Sequence, residues 1–201
     1  MYLMTCTRPD LAYPLSILAR YVAPGRHRPE HMAAAKRVLR YLCSTSGLGL
    51  VLGGRRRVVL TGHADASWAD DQATQRSSQA YTFSLGSGSI SWRSTRSSSV
   101  LGSSCEAEIY AGVMAAMLAL CREHRLVHRT KHIALRIFLA RELQQHGQLR
   151  LAYVASETNT ADIFTKALPP GDHQCFCTMV ACFALLDWSC DLLFSPTSPM
   201  G

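Results

Sequence analysis

Three aspartates lie within seven positions of the segment GHADASWADD, residues 62–71, at the end of an apolar run. Carboxylates so close together could bind a cation or move protons, provided that acids from other segments join them. Clusters of Asp, Ser and Gly more often form solvated turns. Asp65, Asp70 and Asp71 therefore indicate chemistry only if partner carboxylates exist elsewhere in the chain.

The elements around three acids predict a common location for them. The apolar run VVLTGHAD is typical of a strand that ends at Asp65. Glu108 falls in the first turns of a helix predicted over residues 103–124, and Asp162 in the first turn of a short helix predicted over residues 159–170. Strand ends and helix starts can meet at one edge of an α/β sheet, where ligand sites often form. We therefore expect these three side chains to converge.

Hydrophobic periodicity in the rest of the chain predicts a mixed α/β layer architecture. In chain order, the other predicted elements are helices at 10–22 and 30–42, a strand at 47–54, a hairpin at 79–94, a helix at 131–147 and a strand at 149–156. The glycines that end the strand at 47–54 favour a domain boundary near residue 54. Ser104 is the predicted N-cap of the 103–124 helix. The last thirty residues follow no such pattern.

Composition and charge limit the class of protein. The chain has 201 residues, of which 48% are hydrophobic, which suits one or two small domains with a core. Its formal net charge of +7 favours a polyanionic partner, and we expect nucleic acid and no membrane. Arg8 and Asp10 interrupt any signal-peptide core, so an intracellular protein is expected. A membrane span at 175–194 is disfavoured because Asp187 and Asp191 lie inside it.

A second set of candidate metal ligands consists of Cys121, His124, His128 and His132. Their spacings of three, four and four residues would place them on one face of a continuous helix. Neighbouring histidines can bind Zn²⁺, but four ligands from one helix can hardly surround a tetrahedral ion. A zinc site here is therefore disfavoured.

Eight short motifs follow one another over about residues 1–170. In order, they are MYLMTCTRPDLAY, AAKRVLRYL, GHADASWADD, SISWRS, SSCEAEIYAG, RTKHI, RELQQHGQL and NTADIFTKALP. Together they resemble the ribonuclease H domain at the carboxyl end of the Pol polyprotein of copia-type retrotransposons. The resemblance implies an α/β fold, a ribonuclease H-like mixed sheet with flanking helices, over residues 55–170. Residues 1–54, with two helices, resemble the end of the reverse-transcriptase region, and 171–201 is an unpatterned tail.

The resemblance also implies an activity and a site. The family hydrolyses the RNA strand of RNA:DNA hybrids, and Asp65, Glu108 and Asp162 match its catalytic, metal-binding carboxylates. Two Mg²⁺ ions roughly 3.5–4 Å apart can activate the attacking water and stabilise the leaving oxygen. Asp70 and Asp71 match no member of this set and are expected to be surface-loop acids. The residues expected to contact nucleic acid are Arg55, Arg56, Arg57, Arg93, Arg129, Lys131 and His132.

One member of the family's acid set is missing. Similar proteins carry a further aspartate in an Asp-Asn pair at the end of the fourth strand, whereas this chain has no Asp from 72 to 161. The segments on either side of residues 115–117 resemble two different helices of the family, so we infer an internal deletion there. Without the fourth strand, its neighbours must pair directly or leave backbone groups unsatisfied. Two hypotheses follow: the chain is a ribonuclease H-type endonuclease, or it is a degenerate remnant that at most binds nucleic acid. The loss of the fourth strand and its aspartate favours an isolated chain that is inactive or nearly so.

Overall fold

The computed structural model describes residues 2–52, 59–86, 88–120, 138, 141–147, 149–180 and 182–184. Its α-helices are α1 (Tyr2–Cys6), α2 (Ala12–Ala19), α3 (Pro29–Ser44), α4 (Ser104–Leu120) and α5 (Pro170–Met179), and residues 141–145 are also helical. Its strands are β1 (Leu48–Leu50), β2 (Leu60–Asp71), β3 (Arg76–Leu85), β4 (Gly88–Arg96) and β5 (Cys182–Ala184). Single turns of 3-10 helix lie at Pro9–Leu11, Ser156–Thr158 and Asp162–Phe164.

A three-stranded antiparallel sheet in the order β2-β3-β4 forms the centre of this mixed α/β fold. The turn between β2 and β3 is closed by the Asp71 carboxylate, which accepts hydrogen bonds from Ala73 N and Thr74 Oγ1. Gly86, with φ of +67°, lies in the turn between β3 and β4. The predicted hairpin is therefore confirmed. Separately, β1 and β5 form a two-stranded antiparallel ladder.

Helices cover both faces of the three-stranded sheet. On one face, Ala66 of β2 packs with Leu101 and with Ala107 and Ala111 of α4. Side chains alternate along a strand, so the opposite face carries Ala80 of β3. It belongs to a cluster of buried residues with Ala12, Ile163, Phe164, Phe176, Cys177 and Val180.

Residues before position 54 pack directly on this sheet. The indole Nε1 of Trp92 in β4 donates to the carbonyl of Met4 (2.7 Å). Ser94 Oγ donates to Ser16 Oγ (3.1 Å), which joins β4 to α2. The predicted helices at 10–22 and 30–42 correspond to α2 and α3. The division of the chain near residue 54 stays a prediction, and no helix among the described residues is long and apolar enough to cross a membrane.

The predicted strand at 149–156 is wrong, because residues 149–155 have no regular secondary structure. Tyr153 in this segment is 93% exposed. A strand is stable only with a neighbour that completes its ladder, and among the described residues β2 pairs with β3 alone. The side chain of Asn159 instead donates to the backbone carbonyl of Ala64 in β2 (3.1 Å).

The predicted helix at 159–170 is also wrong, since only the 3-10 turn Asp162–Phe164 forms within it. The Asn159 side chain accepts a hydrogen bond from Ala161 N (3.1 Å), a capping contact at the start of this turn. Pro170, the last residue of the predicted helix, is instead the first residue of α5, and Pro169 is its N-cap. Proline suits the first turn because the amide it lacks would have no partner there.

Two further details differ from expectation. The cap of α4 is Ser103 and not Ser104: Ser103 Oγ accepts from Glu106 N (3.1 Å), and the Glu106 carboxylate accepts from Gly102 N (2.6 Å). Part of the segment assigned no element, 171–201, is α5, which buries Phe176 and Cys177.

The position inferred for the deletion, 115–117, lies inside α4, which runs unbroken through it.

Candidate functional site

Asp65 lies in the middle of β2 and not at its carboxyl end, because β2 continues to Asp71. An irregularity in the register between Ser67 and Asp71, with Ala69 at φ of +51°, lets the strand extend past the apolar run. Asp65 is directly opposite Ala80 and is 4% exposed. Its Oδ2 accepts a hydrogen bond from Thr165 Oγ1. The side chain therefore faces the 3-10 turn that carries Asp162.

Asp162 is joined to Asp65 through a lysine. Lys166 Nζ lies 2.8 Å from Asp162 Oδ2 and 3.6 Å from Asp65 Oδ2. Asp162 is 5% exposed. Its other oxygen, Oδ1, is buried and has no hydrogen-bond partner among the described residues. The ammonium thus offsets only part of the negative charge that the two aspartates bring together.

Glu108 approaches the aspartates from α4. Partial burial raises the pKa of Glu108, and the charge of Asp65 raises it further, while Lys166 opposes both effects. Burial likewise raises the pKa of Asp162, against the hydrogen bond from Lys166. A carboxyl group whose pKa is raised by the charge of another carboxylate lies within electrostatic range of it. The structure therefore brings Asp65 and Asp162 together at Lys166, and the exposed Glu108 lies within electrostatic range of both.

The chemistry of these donors suits a hard divalent cation. Carboxylate oxygens are the ligands that Mg²⁺ prefers, and the unpartnered Oδ1 of Asp162 is a buried acceptor without a donor. In the observed side-chain positions, no group of three or more His, Cys, Asp or Glu within the described ranges is arranged to hold a metal ion. Lys166 lies between the two aspartates, so a cation bound by both would have to displace its ammonium.

The residues expected to contact nucleic acid divide into two groups. Arg93, on β4, is exposed. Six others lie outside the described residues: Arg55, Arg56, Arg57, Arg129, Lys131 and His132. The same holds for the Cys121, His124, His128 and His132 set considered for zinc.

Asp70 and Asp71, expected to be loop acids, stabilise the fold instead. Asp71 is 7% exposed and pairs with Arg96 at 2.5 Å. Burial acts to raise the pKa of Asp71, but hydrogen bonds, the strongest from Arg96, lower it to about 2. Asp70 accepts from both the backbone N and the Oγ of Ser78 (2.6 Å each) and lies 3.7 Å from Arg20. These contacts hold the end of β2 to β3, β4 and α2.

Sequence reasoning missed Thr165 and Lys166 as site residues. The signal that could have indicated Lys166 is its spacing: it follows Asp162 by four residues, the distance at which opposite charges meet along one helical turn. No local pattern indicated Thr165, because its partner Asp65 is remote in sequence.

Comparison with known proteins identifies relatives over most of the chain. The Retrovirus-related Pol polyprotein from transposon TNT 1-94 of Nicotiana tabacum is 32% identical over 84% of this chain and 15% of its own length. The Retrovirus-related Pol polyprotein from transposon RE1 of Arabidopsis thaliana is 31% identical over 87% of this chain and 14% of its own. Over most of its length the chain is therefore homologous to copia-type Pol polyproteins from transposons. It spans only about a seventh of these polyproteins' length.

A shorter relative carries a different name. The Secreted RxLR effector protein 161 of Plasmopara viticola is 43% identical over 55% of this chain and 77% of its own length. It is therefore a homologue of about half of this chain. No protein-family model matches the chain, and no solved structure matches it. The Pol homology supports a transposon-derived function.

Proposed function

We propose that the chain is a ribonuclease H-like domain derived from the carboxyl-terminal part of Pol, and that Asp65, Glu108 and Asp162 hydrolyse the RNA strand of an RNA:DNA hybrid. One observation carries the proposal: Asp65 of β2 and Asp162 of the 162–164 turn, both chosen from sequence motifs, meet at Lys166 Nζ, which lies 3.6 Å from the first and 2.8 Å from the second. Glu108 of α4, the third acid, is close enough for the charge of Asp65 to raise its pKa. Acids without a shared role are mostly solvated and spread over a protein surface. Two of these are almost fully buried.

Divalent cations, when bound, would supply the activation of water and the stabilisation of the leaving oxygen. Asp65 and Asp162 would hold them, with Glu108 as a further oxygen donor. Thr165 fixes the orientation of the Asp65 carboxylate through its hydroxyl. Lys166 offsets part of the repulsion between the two aspartates when no metal is present, because its ammonium lies 2.8 Å from one carboxylate and 3.6 Å from the other.

A second candidate function is nucleic-acid binding without cleavage, as in a degenerate remnant. The observation that favours it is the missing fourth aspartate: no Asp occurs from 72 to 161, so a second metal ion would lack one ligand. Within the described residues, β2 also has a partner strand on one side only. An incomplete edge beside Asp65 would allow the carboxylates to shift.

Cleavage of a labelled RNA:DNA hybrid by the purified chain, over a Mg²⁺ titration, separates the two candidates. The test variant is Asp65→Asn. The matched control is Glu157→Gln, which neutralises an exposed acid outside the cluster. Cleavage that Asp65→Asn abolishes and Glu157→Gln retains would support hydrolysis. Hybrid binding without any cleavage would support the second candidate, and absence of binding would contradict both.

A further inference from the structure

Helix α3 and the segment before it carry a dense positive charge. Residues 26–44 contain one acid, Glu30, and five cationic side chains: Arg26, Arg28, Lys36, Arg37 and Arg40. Their balance of +4 is more than half of the chain's formal net charge of +7. All five cationic side chains are exposed. The site residues described above include none of them.

The helix presents these charges on its outer face. At 3.6 residues per turn, Ala34, Val38 and Tyr41 share one side of α3, and all three are half-buried. Lys36 and Arg40 are one turn apart on the opposite side. Arg37 lies next to Arg40, three residues before it. The basic face of α3, Lys36, Arg37 and Arg40, therefore points away from the packed side of the helix.

Buried contacts fix α3 in place. The Tyr41 hydroxyl donates to Asp10 Oδ2 (2.7 Å), and Asp10 is 2% exposed. Arg8, which pairs with Asp10 at 2.8 Å, also donates from Nη1 to the carbonyl of Thr45 just beyond the end of α3 (2.9 Å). A helix held at its carboxyl end by a buried ion pair presents its outer side chains in a preorganised arrangement.

The cations of the basic face have no carboxylate partner among the described residues. The ion pairs found there involve Arg8, Arg20, Arg96 and Lys166. These pairs are structural or belong to the acidic site. The charge of the basic face is therefore not neutralised by any acid in the described part of the chain.

We propose that the basic face of α3 binds the sugar–phosphate backbone of a nucleic-acid duplex. Arginine binds phosphate oxygens through two parallel hydrogen bonds, and a row of such contacts follows a backbone without reading its bases. A membrane-binding helix would insert an apolar face into lipid. On α3, Val38 and Leu42 lie on the half-buried side, and the exposed Met32 and Leu39 lie beside the cationic side chains, so no wholly apolar face is exposed. The inference rests on the nucleic-acid-binding part of the proposed function and not on hydrolysis.

The test measures binding of the full chain to a fluorescent RNA:DNA hybrid by anisotropy, in EDTA, at several salt concentrations. EDTA keeps cleavage and metal-dependent contacts at the acidic site out of the measurement. The test variant is Lys36→Gln/Arg40→Gln. The matched control is Arg141→Gln/Arg150→Gln, which removes two exposed charges elsewhere. Urea midpoints of both variants report whether the fold is retained.

Lys36→Gln/Arg40→Gln should weaken binding about tenfold or more at 0.1 M salt and reduce the slope of log K against log salt by about 2, one unit for each lost phosphate contact. The control should change neither quantity appreciably. Equal loss in both variants would overturn the proposal, because net charge alone would then explain binding. The second part of the test measures binding of the chain to vesicles of phosphatidylserine and phosphatidylcholine. If the chain bound these vesicles more tightly than the hybrid, and if that binding depended on Lys36 and Arg40, the proposal would also be overturned.

Discussion

Replacing Lys166 by Gln removes the ammonium between Asp65 and Asp162, and this change tests the electrostatics of the site. Lys166 Nζ lies 2.8 Å from Asp162 and 3.6 Å from Asp65. A unit charge pair at such a distance gains about 4 kcal/mol near a protein surface. The lysine side chain is 38% exposed, so solvent screening reduces this gain. We expect Lys166→Gln to lower the free energy of unfolding by about 1–2 kcal/mol at pH 7.

The sign of the pH dependence follows from the aspartates. Burial already raises the pKa of Asp162 in the folded protein, and loss of Lys166 would raise it further. A carboxyl group whose pKa is raised by folding binds protons more readily in the folded state than in the unfolded state. The ionised carboxylate therefore destabilises the folded state at neutral pH, and this destabilisation is relieved as the pH falls through the pKa of the folded protein. The deficit of Lys166→Gln should shrink between pH 7 and about pH 4.

Urea denaturation, followed by tryptophan fluorescence at pH 7 and pH 4, measures this deficit. Lys36→Gln is the matched control, since it makes the same chemical change at an exposed lysine of α3 without a described carboxylate partner. Mg²⁺ should stabilise Lys166→Gln more than the wild-type chain, because the ion no longer competes with an ammonium. A deficit of equal size at both pH values, or one no larger than that of Lys36→Gln, would refute the reasoning.

Two other predictions concern the fold. Asp71→Asn should lower the free energy of unfolding by about 2 kcal/mol at pH 7, because the Arg96 pair holds the pKa of Asp71 at about 2. In urea titrations this difference should narrow as the pH falls from 4 towards 2; a constant difference would argue against an ionised Asp71. Phe176→Ala should lower the free energy of unfolding by about 3–5 kcal/mol, because the side chain of Phe176 in α5 is 6% exposed and belongs to the core cluster. Thermal denaturation checks this, and a loss below about 1 kcal/mol would mean that α5 does not pack there.

Elements with strong local signals were predictable from the sequence. Alternation around Gly86 predicted the β3–β4 hairpin, and apolar spacing predicted α3 nearly to its ends. The strand expected at 149–156 failed for a non-local reason: its apolar residues need a neighbouring strand, and alternation cannot show whether one is present. The helix expected at 159–170 is reduced to one 3-10 turn, in which Ile163 and Phe164 are buried in the core cluster, a tertiary contact that the local pattern does not show. In both cases the local sequence pattern was compatible with more than one structure, and contacts with other parts of the chain determined which one formed.

The same limit applies to the candidate site. The motifs indicated Asp65, Glu108 and Asp162, and the structure brings their charges together. Of their surroundings, only the pairing of Asp162 with Lys166 has a local signal in the sequence. The contacts of Thr165 and Lys166 with Asp65 were not predictable, because they form only through the tertiary fold. Asp71 was misinterpreted for the same reason: its partner Arg96 is the last residue of β4. Long-range ion pairs leave no periodic signal in a single sequence.

We propose above that Asp65 and Asp162, together with Glu108, form a divalent-cation site. Calorimetric titration of the purified chain with Mn²⁺, compared with Asp65→Asn and with the control Glu157→Gln, measures this binding. Mn²⁺ should bind the wild-type chain and Glu157→Gln, and Asp65→Asn should abolish the binding. Equal Mn²⁺ binding by the wild-type chain and Asp65→Asn, or no binding by the wild-type chain, would contradict it.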